Sequence, residues 1–152
     1  MIYVTVGTHT QGFPRLVKKM DEIAARIKEQ VIMQIGTTDY VPRHASFFRI
    51  SDEKQIESYV RKARLIVTHA GAGSIISSLN QGKIPIVVPR RKEFHEHVDD
   101  HQVEMARAFE KEGKVIAVYA LDNLETSLVE KHIKKTEKTP LIEEIRAFLS
   151  RV

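Results

Sequence analysis

Cysteine is absent from this 152-residue sequence. Its absence removes disulfides, thiolate metal sites and thiol nucleophiles together, and it fits a reducing compartment. Long apolar runs are missing too: none approaches the roughly 20 residues that a bilayer-spanning helix needs. The opening, Met1-Ile2-Tyr3-Val4-Thr5-Val6-Gly7, has neither the basic region nor the cleavage site of a secretion signal, so a cytoplasmic protein is expected. A large excess of one charge is lacking as well. The 24 basic residues are interspersed with 20 acidic ones for a net charge of +4, without the dense basic stripe and aromatic partners of a nucleic-acid surface. No nucleic-acid partner is therefore expected, and the small excess suits an anionic ligand or a membrane face. What is present, 42% hydrophobic and 29% charged residues, is ordinary for a globular protein, and the length suits one domain, residues 1–152, with a proper core.

Apolar, β-branched runs alternate with helical periodicity along the chain. Strands are predicted at Ile2 to Val6, Val31 to Ile35, Phe47 to Ile50, Leu65 to Thr68, Ile86 to Val88 and Val115 to Val118, several of them continuous runs of the kind buried on both faces. Phe13, Leu16, Val17, Met20, Ile23, Ala24 and Ile27 repeat at helical spacing, as do Ile56, Tyr59, Val60 and Ala63. Another helix follows Gln102, with Met105, Ala106 and Phe109 inward and Gly113 as its stop, and Asp122 with Glu125 reads as a capped start for one more. Lys131 to Thr139 reads as a connection, and residues 139–152 as an amphipathic helix with Leu141, Ile142, Ile145, Phe148, Leu149 and Val152 in one stripe. This βαβαβ order predicts an α/β fold: a doubly wound, mostly parallel six-stranded sheet, Rossmann-like, with a ligand crevice at the carboxyl ends of its strands.

Three loops should meet at that edge. Gly7-Thr8-His9-Thr10 follows the first strand, His69-Ala70-Gly71-Ala72-Gly73-Ser74 the fourth, and Pro89 to Gln102 the fifth. A glycine-rich turn between strand and helix leaves backbone N–H groups and the positive end of the helix dipole aimed at one spot, which suits a phosphate; Ser74 adds a hydroxyl. The Pro89 to Gln102 loop is crowded with charged and polar side chains, as functional loops of this length usually are.

In order along the chain, Val67-Thr68-His69-Ala70-Gly71-Ala72-Gly73-Ser74, Gly82-Lys83-Ile84-Pro85-Ile86-Val87-Val88-Pro89 and His97-Val98-Asp99-Asp100-His101-Gln102 closely resemble the donor-binding half of GT-B glycosyltransferases of family 28. The opening Val4-Thr5-Val6-Gly7-Thr8-His9, with Phe13 and Arg15-Leu16-Val17, fits the same pattern. The resemblance covers nearly the whole chain. It is greatest to the small free-standing subunits: the PssE type of bacterial exopolysaccharide glycosyltransferases and, more distantly, the donor-binding subunit of the enzyme that adds the second N-acetylglucosamine to dolichol-linked oligosaccharide.

The resemblance implies a uridine-diphosphate (UDP) sugar as donor and no metal or other cofactor. His69, Gly71, Ala72, Gly73 and Ser74 would hold the diphosphate, and Gly7, Thr8 and His9 would close over it. The backbone near Arg49 and Ile50 would hold the uracil, and Asp100, His101 and Gln102 would face the donor sugar. Many members carry a glutamate for the ribose hydroxyls where this chain has Ser77, so one neutral hydroxyl replaces a bidentate carboxylate. The cluster Arg90-Arg91-Lys92 would suit the carboxylate of a uronic-acid donor; galactose and N-acetylglucosamine are the other sugars considered.

One Rossmann-like half is half of a GT-B enzyme. The resemblance therefore implies a membrane-anchored partner subunit that supplies the acceptor site, a lipid-linked acceptor, an inverting transfer, and a place at the inner face of the membrane. The base that takes the acceptor's proton would come from the partner, so no catalytic side chain is assigned in this chain. Two other readings remain open on the residues. A non-catalytic nucleotide-sugar-binding regulatory subunit is one. A metal-dependent hydrolase built on His95, His97, Asp99, Asp100 and His101 is the other, although their spacing lacks a helical His-x-x-x-His pair.

Overall fold

A computed structural model describes residues 1–128; the expected connection at Lys131 to Thr139 and the helix at 139–152 lie outside the described residues. The elements run β1 (Ile2–Thr5), α1 (Pro14–Ala24), β2 (Val31–Gln34), β3 (Ser46–Phe48), α2 (Glu53–Lys62), β4 (Leu65–Thr68), α3 (Ala72–Asn80), β5 (Ile86–Val87), α4 (His101–Lys111) and β6 (Ile116–Ala117). Six strands form one sheet in the order β3-β2-β1-β4-β5-β6, and every pairing is parallel. The chain starts at β1, winds outward to β3, then returns to β4 and winds the other way. The crevice between β1 and β4 is thus the point where strand order reverses, the place where open parallel sheets bind ligands.

Alternating side chains of each strand feed two layers. Ile2, Val4 and Val6 face α1, where Leu16, Val17, Met20 and Ile23 form the buried stripe. Tyr3 and Ile66 face the other way, against Val60 and Ala63 at the end of α2, while Val87 packs with Ile75 and Leu79 of α3 and Ala106 and Phe109 of α4. Truncating Leu16, which is fully buried, to alanine is expected to cost about 2–5 kcal/mol.

Three local features differ from the expected elements. Leu65 to Thr68 is a strand as expected, but the other five strands end a residue or more early: β5 keeps only Ile86 and Val87 as ladder residues, yet Val88 N–H still donates to Thr68 O at 2.8 Å. The crossing from β2 to β3 carries no helix. Instead it is tied down by the carboxylate of buried Asp21 on α1, which accepts from Tyr40 Oη (2.8 Å) and from the amides of Arg43, His44 and Ala45 (2.8–3.1 Å). Burial alone would raise the Asp21 pKa, but those donors hold it below the usual carboxylate value. Finally, the helix expected to start at Asp122 is entered through a 3-10 turn over Leu121–Asn123, so Asp122 sits inside the turn rather than ahead of the helix.

Lys83, which follows α3, ties it to the end of α2. Its ammonium donates to Val60 O, Arg61 O and Ala63 O at 2.5–2.6 Å, satisfying the orphan carbonyls at the C-terminus of α2 where a cation also suits the helix dipole.

Candidate functional site

The turn between β4 and α3 is organised around one imidazole. Gly71 N–H donates to His69 Nδ1 at 3.1 Å, and Gln102 Nε2 lies 3.1 Å from the same nitrogen. The amide orientation of Gln102 follows from its other end, since Oε1 accepts from Ala70 N–H (3.1 Å) and Arg90 N–H (3.0 Å), which leaves Nε2 as donor. With Nδ1 accepting, the ring proton sits on Nε2, 3.1 Å from Ser74 Oγ. Burial first, and then the nearby positive charge of Arg90, push the His69 pKa down to about 3, so the ring is neutral. The Ser74 hydroxyl therefore accepts from His69 and keeps its own proton for another partner.

Two glycines exist for this ring. A Cβ on Gly71 would stand 2.1 Å from His69 Cε1, and one on Gly7 would stand 2.6 Å from His69 Nε2. Gly7 also has φ +73°, which a side chain rarely tolerates. Gly73 is different: no atom lies within 4 Å of where its Cβ would be. It faces open space at the start of α3, where Ile75 is the first residue whose amide bonds back, to Gly71 O. The amides of Ala72, Gly73 and Ser74 precede it and have no acceptor within the helix. They form the positive pole of α3, at the switch point of the sheet.

In front of Gly73 and Ser74 lies a hollow of about 320 Å³, at the small end of the range for small-molecule sites. Gly7, Thr8, His69, Gly73, Ser74 and Ser77, named from the sequence, all line it. Gly71, just ahead of α3, and exposed Ala72, its first residue, do not line it, and Gln102 is buried behind His69, pinning the loop after β4 to the loop after β5. His9 packs against His97 with the rings tilted by 30° and their centres 4.8 Å apart, and its Nδ1 accepts from Gln11 N–H. Asp100 and His101 are exposed at the start of α4, with Asp100 Oδ1 accepting from Lys92 N–H. At the end of β3, Arg49 O accepts from Gly36 N–H and the Arg49 guanidinium donates to Gly36 O and Thr38 O, while the Ile50 side chain is 69% exposed.

Residues not named from the sequence form the floor. Tyr3, Thr5 and Gln34 line the hollow from the strands, and Ser78 from α3. For the three strand residues the only sequence signal is polarity inside otherwise apolar runs.

Arg90 overturns the expectation of a carboxylate clamp. It is fully buried and donates to the carbonyls of Gln11, Gly12, Glu96 and Val6 at 2.6–3.2 Å, so its guanidinium ties the loop after β1 to the loop after β5 and is closed to a ligand. Burial brings its pKa down to about 10 although Glu96 opposes this, and it stays charged at neutral pH. Glu96 is itself buried and paired with Arg15 at 2.8 Å. Arg91 donates to Glu93 and to Tyr119 O. In the same loop His97 Nδ1 meets Asp99 Oδ1 at 3.0 Å, and among the described residues no group of three or more side chains of metal-ligating type converges to hold a metal. A second, wider hollow between α1 and the β2–β3 crossing is lined by Asp21, Tyr40, Arg43 and His44, whose buried carboxylate is already spent on that loop. No helix among the described residues is long and apolar enough to cross a membrane.

Residues 1–148 match the model of the glycosyltransferase family 28 C-terminal domain. The chain is 31% identical over 125 residues to the UDP-N-acetylglucosamine transferase subunit ALG13 of Homo sapiens, a match covering 74% of this chain and 10% of that protein. It is 29% identical over 99 residues to the NDP-glycosyltransferase YjiC of Bacillus licheniformis, covering 61% of this chain and 24% of that one. The solved glycotransferase of kitacinnamycin superposes with a TM-score of 0.67 at 19% identity, over 99% of this chain and 38% of that one; at that identity the likeness shows the fold. The chain thus spans between about a tenth and two-fifths of the length of these proteins.

Proposed function

The chain belongs to the glycosyltransferase family 28 C-terminal domain family, and on that premise we propose that it is the UDP-sugar-binding subunit of a two-component inverting glycosyltransferase. The observation that carries this reading is the open pole of α3 at the β1/β4 switch point, with Gly73 bare and the Ser74 hydroxyl free to donate. The amides of Ala72, Gly73 and Ser74 would receive the diphosphate. As the bond from sugar to diphosphate breaks, negative charge grows on the leaving oxygens, and donors already fixed by the helix stabilise it without reorganising.

His69 supports that cradle as a neutral donor to Ser74. With one nitrogen accepting and the other donating inside the turn, it has no place to take a proton from an acceptor. The base is assigned to a membrane-anchored partner subunit that also holds a lipid-linked acceptor, and the complex is placed at the cytoplasmic face of the membrane, in polysaccharide or glycan assembly. N-acetylglucosamine is the favoured sugar, because UDP-N-acetylglucosamine is named in the human relative. The uronic acid is disfavoured by the closed Arg90. No metal is assigned a role.

A thermal-shift panel tests this reading, because a ligand that binds only the native state raises its melting temperature by mass action. UDP and UDP-N-acetylglucosamine should raise it and adenosine or guanosine diphosphates should not. Equal response to all nucleotides, or to none, would contradict it.

A further inference from the structure

Gln34 has one half of its amide in use and the other half idle. Oε1 accepts from Thr5 Oγ1 at 2.7 Å and, at the long distance of 3.4 Å, from Tyr3 Oη. Thr5 Oγ1 in turn accepts from Gly7 N–H at 3.1 Å. With Thr5 Oγ1 accepting from Gly7 N–H and giving its own proton to Gln34, the amide presents its oxygen to the strand. Nε2 is then left with no partner, although Gln34 is only 2% exposed and lines the 320 Å³ hollow. A buried donor without an acceptor is costly, and so is rare unless something outside the protein completes it.

The hollow's lining narrows what that something is. Tyr3 is held neutral by burial, its pKa pushed up to about 12, and His69 is neutral for the same reason. Besides these, the lining consists of hydroxyls, the Gln34 amide, glycines and the apolar Ile56, Val60 and Ile66, with no formally charged side chain. A dianion would find no counter-charge on the floor. The one feature that favours negative charge is the α3 pole at the rim, beside Gly73 and Ser74. Hence a ligand with an anionic end and an uncharged, oxygen-bearing end has a single way to sit: anion at the rim, neutral part inward over Thr5 and Gln34.

We propose that Gln34 is a nucleoside-reading residue, its Nε2 donating to a hydroxyl or carbonyl oxygen of the nucleoside whose diphosphate occupies the α3 pole. The proposal rests on the nucleotide-binding reading above and adds a specificity element to it. Gln34→Met is the sparing test, because it removes the donor without adding charge; Gln34→Glu keeps an acceptor for Thr5 and Tyr3 but adds a carboxylate to the hollow that holds the diphosphate, so it serves as the test of charge. Binding of UDP, 2′-deoxyuridine diphosphate and inorganic pyrophosphate is measured by calorimetry at pH 8, with melting temperature as the control for folding. Gln34→Met should weaken UDP about tenfold, the weight of one such hydrogen bond, and leave pyrophosphate unchanged, while Gln34→Glu should weaken both. A penalty that vanishes with the deoxy ligand assigns the ribose 2′-hydroxyl, and one that persists assigns the 3′-hydroxyl or the base. Unchanged UDP binding by the folded Gln34→Met variant, or equal losses for UDP and pyrophosphate in it, overturns the proposal while the nucleotide-binding reading stands. Failure of the unmodified protein to bind UDP overturns both.

Discussion

His69 Nε2 and Ser74 Oγ stand 3.1 Å apart across the β4–α3 turn, and their bond turns the serine's proton away from the protein. The turn is thus rigid on its inner side and open on its outer side. Its glycines divide the same way, and substitutions at them should separate folding from binding.

Gly71→Ala would place a methyl carbon 2.1 Å from the buried ring. The variant should lose a few kcal/mol of stability by overpacking, about 1–3 kcal/mol, in chemical denaturation. Gly73→Ala meets no atom and lies in the first turn of a helix, where alanine is the better helix former by about 0.5–1 kcal/mol. Its melting temperature should hold or rise while UDP affinity falls, because the methyl enters the hollow.

Gln102→Ala should destabilise the apo protein. It strips the shared acceptor from Ala70 N–H and Arg90 N–H, both in buried surroundings, and each unsatisfied donor costs about 1–3 kcal/mol. A residue that only faced a sugar would leave apo stability untouched, so the melting temperature of the ligand-free variant decides between the roles.

Acid sensitivity should follow His69. Its pKa lies at about 3 in the folded protein against 6.5 for an ordinary histidine, so between those values the unfolded chain binds the extra proton. Stability from this group is complete above about pH 6.5 and falls as pH drops toward 3, by on the order of 2 kcal/mol at pH 5. Glu29, held down to about 2 chiefly by its hydrogen bonds from Arg64, adds a further loss that starts only below its ordinary value of 4.5. Denaturation at pH 7.5 and pH 5 should show the first loss, and His69→Asn should reduce it.

The sheet was legible because continuous β-branched runs at Ile2, Val31, Leu65 and Ile86 have few other places to go in a parallel α/β fold. The site's rim was legible as well, since glycine next to a strand end is a local signal. The rest depended on contacts between distant residues. Asp21 looks like any polar position on α1 until its carboxylate collects three amides from the β2–β3 crossing. Arg90 reads as part of a basic surface cluster but is buried, because four carbonyls from two loops far apart in sequence surround it. Thr5 and Gln34 are far apart in sequence and meet only through the register that sets Thr5 beside Gln34 on neighbouring strands. Their polarity was visible, but the hollow they floor was not.

The central claim is that the first amides of α3 receive the diphosphate. Amide chemical-shift mapping with labelled protein and UDP tests it most directly. The account predicts the largest perturbations at Ala72, Gly73 and Ser74, with accompanying shifts at Gly7 and Thr8. Shifts confined to the groove around Asp21, Tyr40 and His44, with the α3 amides silent, would contradict it.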